Sequence, residues 1–293
     1  MQANLLLIVI AMIWGSAFVA QSWGMAHLGP MTFTGVRFLI GALVVLPFML
    51  REWRRRSASG QPLRPADGLK VVTMGVLLLA GAALQQIGIV STSVPNAAFL
   101  TALYVPLVPL LGWLLWRHWP HTSTWPSAMA CLAGAYLLSG AQAWAIGRGD
   151  LWVIASSLPW ALHVLLVGRV ANHLDAPFLV AGGQFLVCGV LALIWALALE
   201  PISGSALRSA TGSLLYTGVF SVGIAFTAQV VAQRYAHAAD AAIVLSSETL
   251  FAALFGFVWM GDRLSPSGIT GCVLIFCSML SVQVLPLMAR ERS

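Results

Sequence analysis

Apolar stretches follow one another along almost the whole chain, with short polar connections between them. They cover residues 4–24, 31–50, 70–91, 97–116, 126–143, 151–168, 178–199, 212–233, 241–260 and 266–288. An α-helix needs roughly 20 apolar residues to cross the hydrocarbon of a bilayer, so the pattern predicts an all-α, polytopic membrane protein of ten transmembrane helices. Connections of a few residues leave no room for a separate soluble domain. The longest, residues 51–69, holds Arg54-Arg55-Arg56 and a Ser/Gly/Pro-rich run, and is expected to be a solvated loop.

The second half of the pattern echoes the first. Ile13-Trp14-Gly15 in span 1 returns as Pro159-Trp160-Ala161 in span 6, and Pro30 with Arg37-Phe38-Leu39 in span 2 returns as Pro177 with Gln184-Phe185-Leu186 in span 7. The offsets are 146 and 147 residues. This predicts two five-helix repeats, residues 1–145 and 146–293. An odd number of spans forces the second copy into the membrane upside down. Inverted repeats are a mark of secondary transporters, whose substrate site lies near the midplane between the copies.

Composition agrees: 59% of the residues are hydrophobic and 8% charged, where a soluble domain carries roughly a quarter charged residues. With a cytoplasmic N-terminus, eleven Lys/Arg fall on the inner side: Arg51, Arg54, Arg55, Arg56, Arg64, Lys70, Arg117, Arg169, Arg234, Arg290 and Arg292. Three, Arg148, Arg208 and Arg263, fall outside. The positive-inside rule therefore places both termini in the cytoplasm, in a multi-pass protein of the inner (plasma) membrane. Topology accounts for the net charge of +6, so the basic balance is no sign of nucleic-acid binding. The partners implied are the lipid bilayer and a small-molecule substrate; the sequence is compatible with a monomer and does not set the oligomeric state. No cleavable signal peptide is evident, because the first apolar stretch is a full span without a basic leader.

Metal and cofactor chemistry find no support. Cys131, Cys188, Cys272 and Cys277 have neither zinc nor redox spacing and read as small buried hydrophobes. His118-Trp119-Pro120-His121 resembles a metal pair, but Pro120 breaks the helix that would align the imidazoles.

Trp14 and Trp160 stand apart from the other tryptophans, most of which, such as Trp23, Trp53, Trp116, Trp144 and Trp259, sit at span ends as interfacial anchors. Each of the pair lies about ten residues into its span, roughly 15 Å deep at 1.5 Å per residue, at equivalent places in the two copies. They are expected to line a central cavity. Ionisable groups in the bilayer point to function by default, and there are three: Glu248 in span 9, His163 on the Trp160 face of span 6, and Arg37, which sits shallow enough in span 2 for its stem to reach the interface. Arg37 is expected to be structural, since its counterpart is Gln184. For Glu248 and His163 the functional and structural readings both stand.

Ser16, Gln85, Gln86, Thr101, Tyr104, Gln229 and Ser246 complete the candidate lining; each offers a hydrogen bond without charging the cavity, and each alternatively ties two helices together. Pro106, Pro109 and Pro159 are expected to remove ladder hydrogen bonds and act as hinges.

Trp14-Gly15-Ser16, Arg37-Phe38-Leu39, the run from Leu245-Ser246-Ser247-Glu248-Thr249 to Leu254, and Gly261-Asp262-Arg263-Leu264-Ser265-Pro266 together resemble the EamA-type drug/metabolite transporters over the whole chain. The resemblance implies ten helices, cytoplasmic termini and export of small metabolites. Thr249 departs from it, since the family commonly has proline after the glutamate; a straighter span 9 is expected.

Within that superfamily, phosphorylated substrates need cationic clamps, and no lysine lies inside a span, Lys70 standing at the edge of the third. The first span also lacks the acid with which the small four-helix multidrug relatives exchange protons for cations. The branch most resembled is the YddG-type exporter of aromatic and other amino acids. With few charges in the spans to couple to an ion, transport by alternating access as a uniporter is expected. The alternative is a multidrug or quaternary-ammonium exporter coupled to protons through Glu248. A membrane-embedded enzyme is disfavoured, because Ser16 and His163 lie a whole repeat apart and no acidic metal cluster exists.

Overall fold

The structure, a computed structural model, describes residues 2–117, 119–138, 146–260 and 265–290. The end of the expected fifth span, the division between the repeats at residue 145, His118, Trp144, Gly261-Asp262-Arg263-Leu264 and Arg292 lie outside the described residues.

All elements among the described residues are helical. In order they are α1 (Gln2–Met25), α2 (Pro30–Ala58), α3 (Pro65–Ile89), α4 (Val94–Thr101), α5 (Tyr104–Trp116), α6 (Thr124–Leu138), α7 (Arg148–Leu174) and α8 (Pro177–Leu199). There follow α9 (Gly204–Ser209), α10 (Thr211–Tyr216), a π-helical stretch Thr217–Phe226, α11 (Thr227–Ala232), α12 (Ala238–Leu245), α13 (Glu248–Phe255), a second π-helical turn Gly256–Met260 and α14 (Pro266–Arg290). Proline opens α2, α3 and α8, where its missing N–H would have no intrahelical partner in any case.

Eight helical stretches among the described residues have the length and composition to cross a membrane: Ala3–Met25, Pro30–Ala58, Pro65–Ile89, Asn96–Trp116, Arg148–Leu174, Pro177–Leu199, Thr211–Ala232 and Ala238–Trp259. The expected fifth and tenth spans fall on α6, 15 residues as described, and on α14, whose apolar part is Pro266–Val282. The outward faces are apolar, with Leu43, Leu197 and Leu199 largely exposed, as befits a surface solvated by lipid tails.

The principal pairings are α2 with α8, α3 with α7, and α6 with α14, while α1 lies against α13 and the π-helical stretch. Two carboxylates stitch the first pair end to end. Glu200, just past α8, accepts the backbone N–H groups of Met31 and Thr32 at the start of α2, each at 2.8 Å. Glu52, near the end of α2, accepts the N–H of Leu179 at the start of α8, also at 2.8 Å. A helix N-terminus carries partial positive charge and unpaired N–H groups, so each carboxylate answers both. In the α6–α14 pair, a Cβ built on Gly134 would lie 2.7 Å from the carbonyl oxygen of Gly271. Only glycine permits backbones that close.

Two spans are interrupted midway. Between α4 and α5 the regular ladder fails at Ala102–Leu103, and Val105 N–H bonds to Ala102 O at 3.0 Å. Pro106, four residues on, has no N–H to offer that carbonyl and its ring collides with it. Pro106 itself sits in the first turn of α5, so its effect is to break the span rather than to bend a continuous helix; Pro109 and Pro159 do lie inside α5 and α7.

The second interruption corrects the expectation of a straighter span 9. Without any proline, α12 ends at Leu245 and α13 begins at Glu248. Ser246, Ser247 and Thr249 turn their hydroxyls back onto the carbonyls of Ile243, Val244 and Ser246 at 2.7, 2.7 and 2.9 Å. Such back-bonding competes with the helix ladder, and Ser247 and Thr249 N–H bond three residues back instead of four.

The reading of all four cysteines as buried also needs correction. Cys131 and Cys188 are buried, but Cys272 is half-buried and Cys277 exposed; both sit on α14 and tolerate an apolar surrounding equally well on the outer side.

Candidate functional site

A narrow cavity of about 50 Å³ lies where α1, α2, α3, the break between α4 and α5, α7, the first π-helical stretch, α11 and the start of α13 meet. Of the eleven residues the sequence singled out, seven line it: Trp14, Gln85, Thr101, Tyr104, Trp160, Gln229 and Glu248. The wall is completed by Ala17, Phe18, Gln21, Arg37, Val164, Ser221 and Phe226.

Phe226 joins the two tryptophans. Its ring centroid is 4.6 Å from that of Trp14 and 5.8 Å from that of Trp160, nearly parallel to the latter at 14°. Phe38 and Phe185 close the cluster from behind at 5.9 and 6.3 Å. Phe226 ends the π-helical stretch, where the widened ladder frees carbonyls; Trp14 Nε1 donates to one of them, Ser221 O, at 3.3 Å. Local widening of this kind is frequent at functional sites.

Several polar groups on the wall lack partners. Trp160 Nε1, Gln229 Oε1 and Arg37 Nε are buried without a hydrogen bond. The Glu248 carboxylate, only 5% exposed, also makes none among the described residues. A buried polar atom left unsatisfied costs about 1–3 kcal/mol, and a charged side chain at mid-membrane costs roughly 2.5–3.5 kcal/mol by insertion scales. These groups bring unspent hydrogen-bond capacity to one aromatic cavity, which makes it the candidate site; other buried unpartnered atoms, such as both amide atoms of Gln86, lie away from it.

Arg37 departs most from expectation. It does not reach the interface: it is 3% exposed, held by Gln21 Oε1, which accepts from Nη1 at 2.6 Å. Phe33 and Phe38 flank the guanidinium at 5.6 and 5.2 Å, within cation–π reach.

The remaining four candidates lie elsewhere. Ser16 donates to Ile13 O at 2.7 Å and meets the Tyr216 hydroxyl. Ser246 pairs with Cys131 Sγ at 2.9 Å. His163, fully buried behind Trp160, has Nε2 2.8 Å from Gln184 Oε1. Gln86 is fully buried, with both amide atoms unpartnered.

Sequence reasoning missed Gln21 and Phe226. Gln21 was recoverable, because Trp14, Ala17, Phe18 and Gln21 fall at i, i+3, i+4 and i+7, one helix face. Phe226 had no such signal, since the π-helical stretch shifts the phase of span 8.

Val164 separates this cavity from a second and much larger one, a cleft of about 770 Å³ lined by residues that include Val108, Pro109, Trp119, Arg169, Arg234 and His237. The cleft opens at the end of the bundle where basic residues gather: Arg56 bonds Leu174 O at 2.5 Å, and Arg234 pairs with Asp175 at 2.6 Å. Arg54-Arg55-Arg56 lie not in the expected loop but in the last turns of α2, which shortens the connection to residues 59–64. At the opposite end the helices are tied together. Besides Glu200, Asp150 accepts from Thr92 Oγ1 at 2.9 Å and from Asn96 Nδ2 at 2.7 Å.

Comparison with known proteins fits this arrangement. The model of the EamA-like transporter family matches twice, over residues 1–140 and 147–283. An "Uncharacterized transporter" of Archaeoglobus fulgidus is 28% identical, covering 96% of this chain and 86% of its own. "Uncharacterized inner membrane transporter YedA" of Escherichia coli is 27% identical over 88% and 83%. A solved crystal structure shares the fold, with a TM-score of 0.77 over 97% of each chain at 20% identity.

Proposed function

This chain belongs to the EamA-like transporter family, and from that premise we infer that it is an exporter of small metabolites, chiefly amino acids including aromatic ones, of the YddG type. The general role, a multi-pass membrane transporter, is that of its family. In our reading it consists of ten spans in two inverted repeats, residues 1–145 and 146–293, with α6 and α14 as the fifth and tenth. The double family match and the reciprocal Glu52 and Glu200 caps support that layout.

The observation that carries the substrate reading is the aromatic cavity with unpartnered polar atoms at its wall, beneath an open cleft. With the basic loops in the cytoplasm, the cleft faces inward and the end closed by Asp150 and Glu200 faces out. Ligand pockets occupy roughly 300–1,000 Å³. The cleft falls in that range and the inner cavity does not, so substrate waits in the cleft until the helices part. Alternating access then carries it across, by exchange of the closed end for an open one around Trp14, Trp160 and Phe226. The interrupted spans and Pro109 and Pro159 provide the bending points.

A quaternary-ammonium exporter would also use an aromatic box and Glu248. Arg37 in the same wall argues against it, because a fixed guanidinium repels a lipophilic cation. Counterflow in proteoliposomes tests the reading: labelled phenylalanine should exchange against unlabelled amino acids. Exchange of lipophilic cations with no response to amino acids would refute it.

A further inference from the structure

We propose that Arg37 and Glu248 form a two-ended clasp for a zwitterion, Arg37 taking the carboxylate and Glu248 the ammonium group, with the side chain laid among Trp14, Trp160 and Phe226. This rests on the amino-acid reading and specifies how the site would recognise its substrate.

The two ionisable groups share one cavity wall without pairing with each other: none of the ion pairs among the described residues includes either. Each has capacity to spare. Arg37 uses Nη1 on Gln21 and leaves Nε without a partner, while Glu248 has no hydrogen bond at all among the described residues. A guanidinium presents a planar fork matched to a carboxylate, and Gln21, Phe33 and Phe38 fix its orientation from three sides. Glu248 stands at the first position of α13, beyond the break at Ser246–Ser247, on a helix that packs against α1 rather than α2. The two groups therefore come from different helices, which suits groups that hold opposite ends of one small molecule. A cavity built for a neutral solute would need neither, and one built for an anion or a cation would need only one.

The arrangement makes a specific demand on substrate chemistry: both charges must be present. Counterflow of labelled phenylalanine into proteoliposomes is competed with unlabelled phenylalanine, phenethylamine, which lacks the carboxylate, and 3-phenylpropionate, which lacks the ammonium group. With the unaltered protein, each single-charge analogue should compete at least about tenfold more weakly than phenylalanine, as a site built for a polar group rejects the analogue without it. In Arg37→Gln the advantage of phenylalanine over phenethylamine should vanish while its advantage over 3-phenylpropionate remains. In Glu248→Gln the pattern should reverse, and Arg37→Lys should restore part of the carboxylate preference. A single-charge analogue that competes as well as phenylalanine on the unaltered protein overturns the clasp, whatever the variants do. So do folded variants that weaken all three competitors equally. Absence of any amino-acid counterflow in the unaltered protein instead refutes the amino-acid reading and the clasp with it.

Discussion

Glu200 holds Thr32 twice, its Oε2 accepting both the backbone N–H at 2.8 Å and the side-chain hydroxyl at 2.7 Å. A carboxylate at the end of its own helix is disfavoured by that helix's dipole. Its placement at the end of α8 is explained only by the start of α2, whose exposed N–H groups it satisfies.

Removing that carboxylate should loosen the closed end. Hydrogen bonds to charged groups contribute about 1.5–3 kcal/mol, so Glu200→Ala should lower the thermal unfolding midpoint by several degrees in detergent. Glu200→Gln, which retains acceptors, should lose less. Glu52→Gln should behave in parallel, because its carboxylate does the same for α8.

Trp160 is both packed and at the cavity wall. Trp160→Ala should destabilise the protein by about 3–5 kcal/mol and abolish counterflow. Trp160→Phe removes no hydrogen bond, since the indole N–H has none, and preserves stacking on Phe226. It should therefore fold and transport, with its order of preferred competitors changed. An unchanged order would place Trp160 outside the substrate path.

Position 249 should accept the proline common in the family. Thr249 is the second residue of α13, where proline is at home, and its N–H bonds only to Ser246 O at 3.1 Å. Thr249→Pro removes that bond and the hydroxyl bond to the same carbonyl, so it should cost about 1–3 kcal/mol and leave counterflow intact. Complete loss of folding would mean that the interruption at Ser246–Ser247 is not a real break in the ladder.

Orientation is testable with single cysteines in a variant lacking Cys131, Cys188, Cys272 and Cys277. Residues in 54–56 and 171–176 should be shielded from an impermeant thiol reagent in intact cells, and Gly147 should be reached. External labelling at 54–56 would reverse the topology.

The uniport expectation requires that no accumulation be driven by a proton gradient. Proteoliposomes with an imposed inward or outward gradient should equilibrate phenylalanine and not concentrate it. Concentration dependent on the gradient, lost in Glu248→Gln while counterflow persists, would make Glu248 a coupling residue.

The membrane class was legible because helix length and apolarity are local properties, and the deep tryptophans were legible because a repeat makes equivalence visible. What escaped prediction depended on neighbours. Arg37 read as interfacial by depth alone, yet Gln21, Phe33 and Phe38 retain it inside. Span 9 read as straight from the lack of proline, although three hydroxyls break it as effectively. Ser16, Ser246 and His163 had the right chemistry at plausible depth, but the serines spend their hydroxyls on Ile13 and Cys131, and His163 turns Nε2 to Gln184 behind Trp160, away from the cavity. Periodicity shows which face a residue occupies; it does not show whether that face meets a cavity or another helix.

The contact between Gly134 and Gly271 couples the fates of two distant codons. A methyl group at either position meets backbone of the opposing helix, Gly271 O at 2.7 Å in one direction and Leu138 N at 2.9 Å in the other. No compensating change at a side chain relieves such a collision, since the obstruction is main chain. The two glycines thus form a single heritable unit, and relatives of this chain should carry small residues at both positions or a wider spacing of these helices, and not a large residue at one alone.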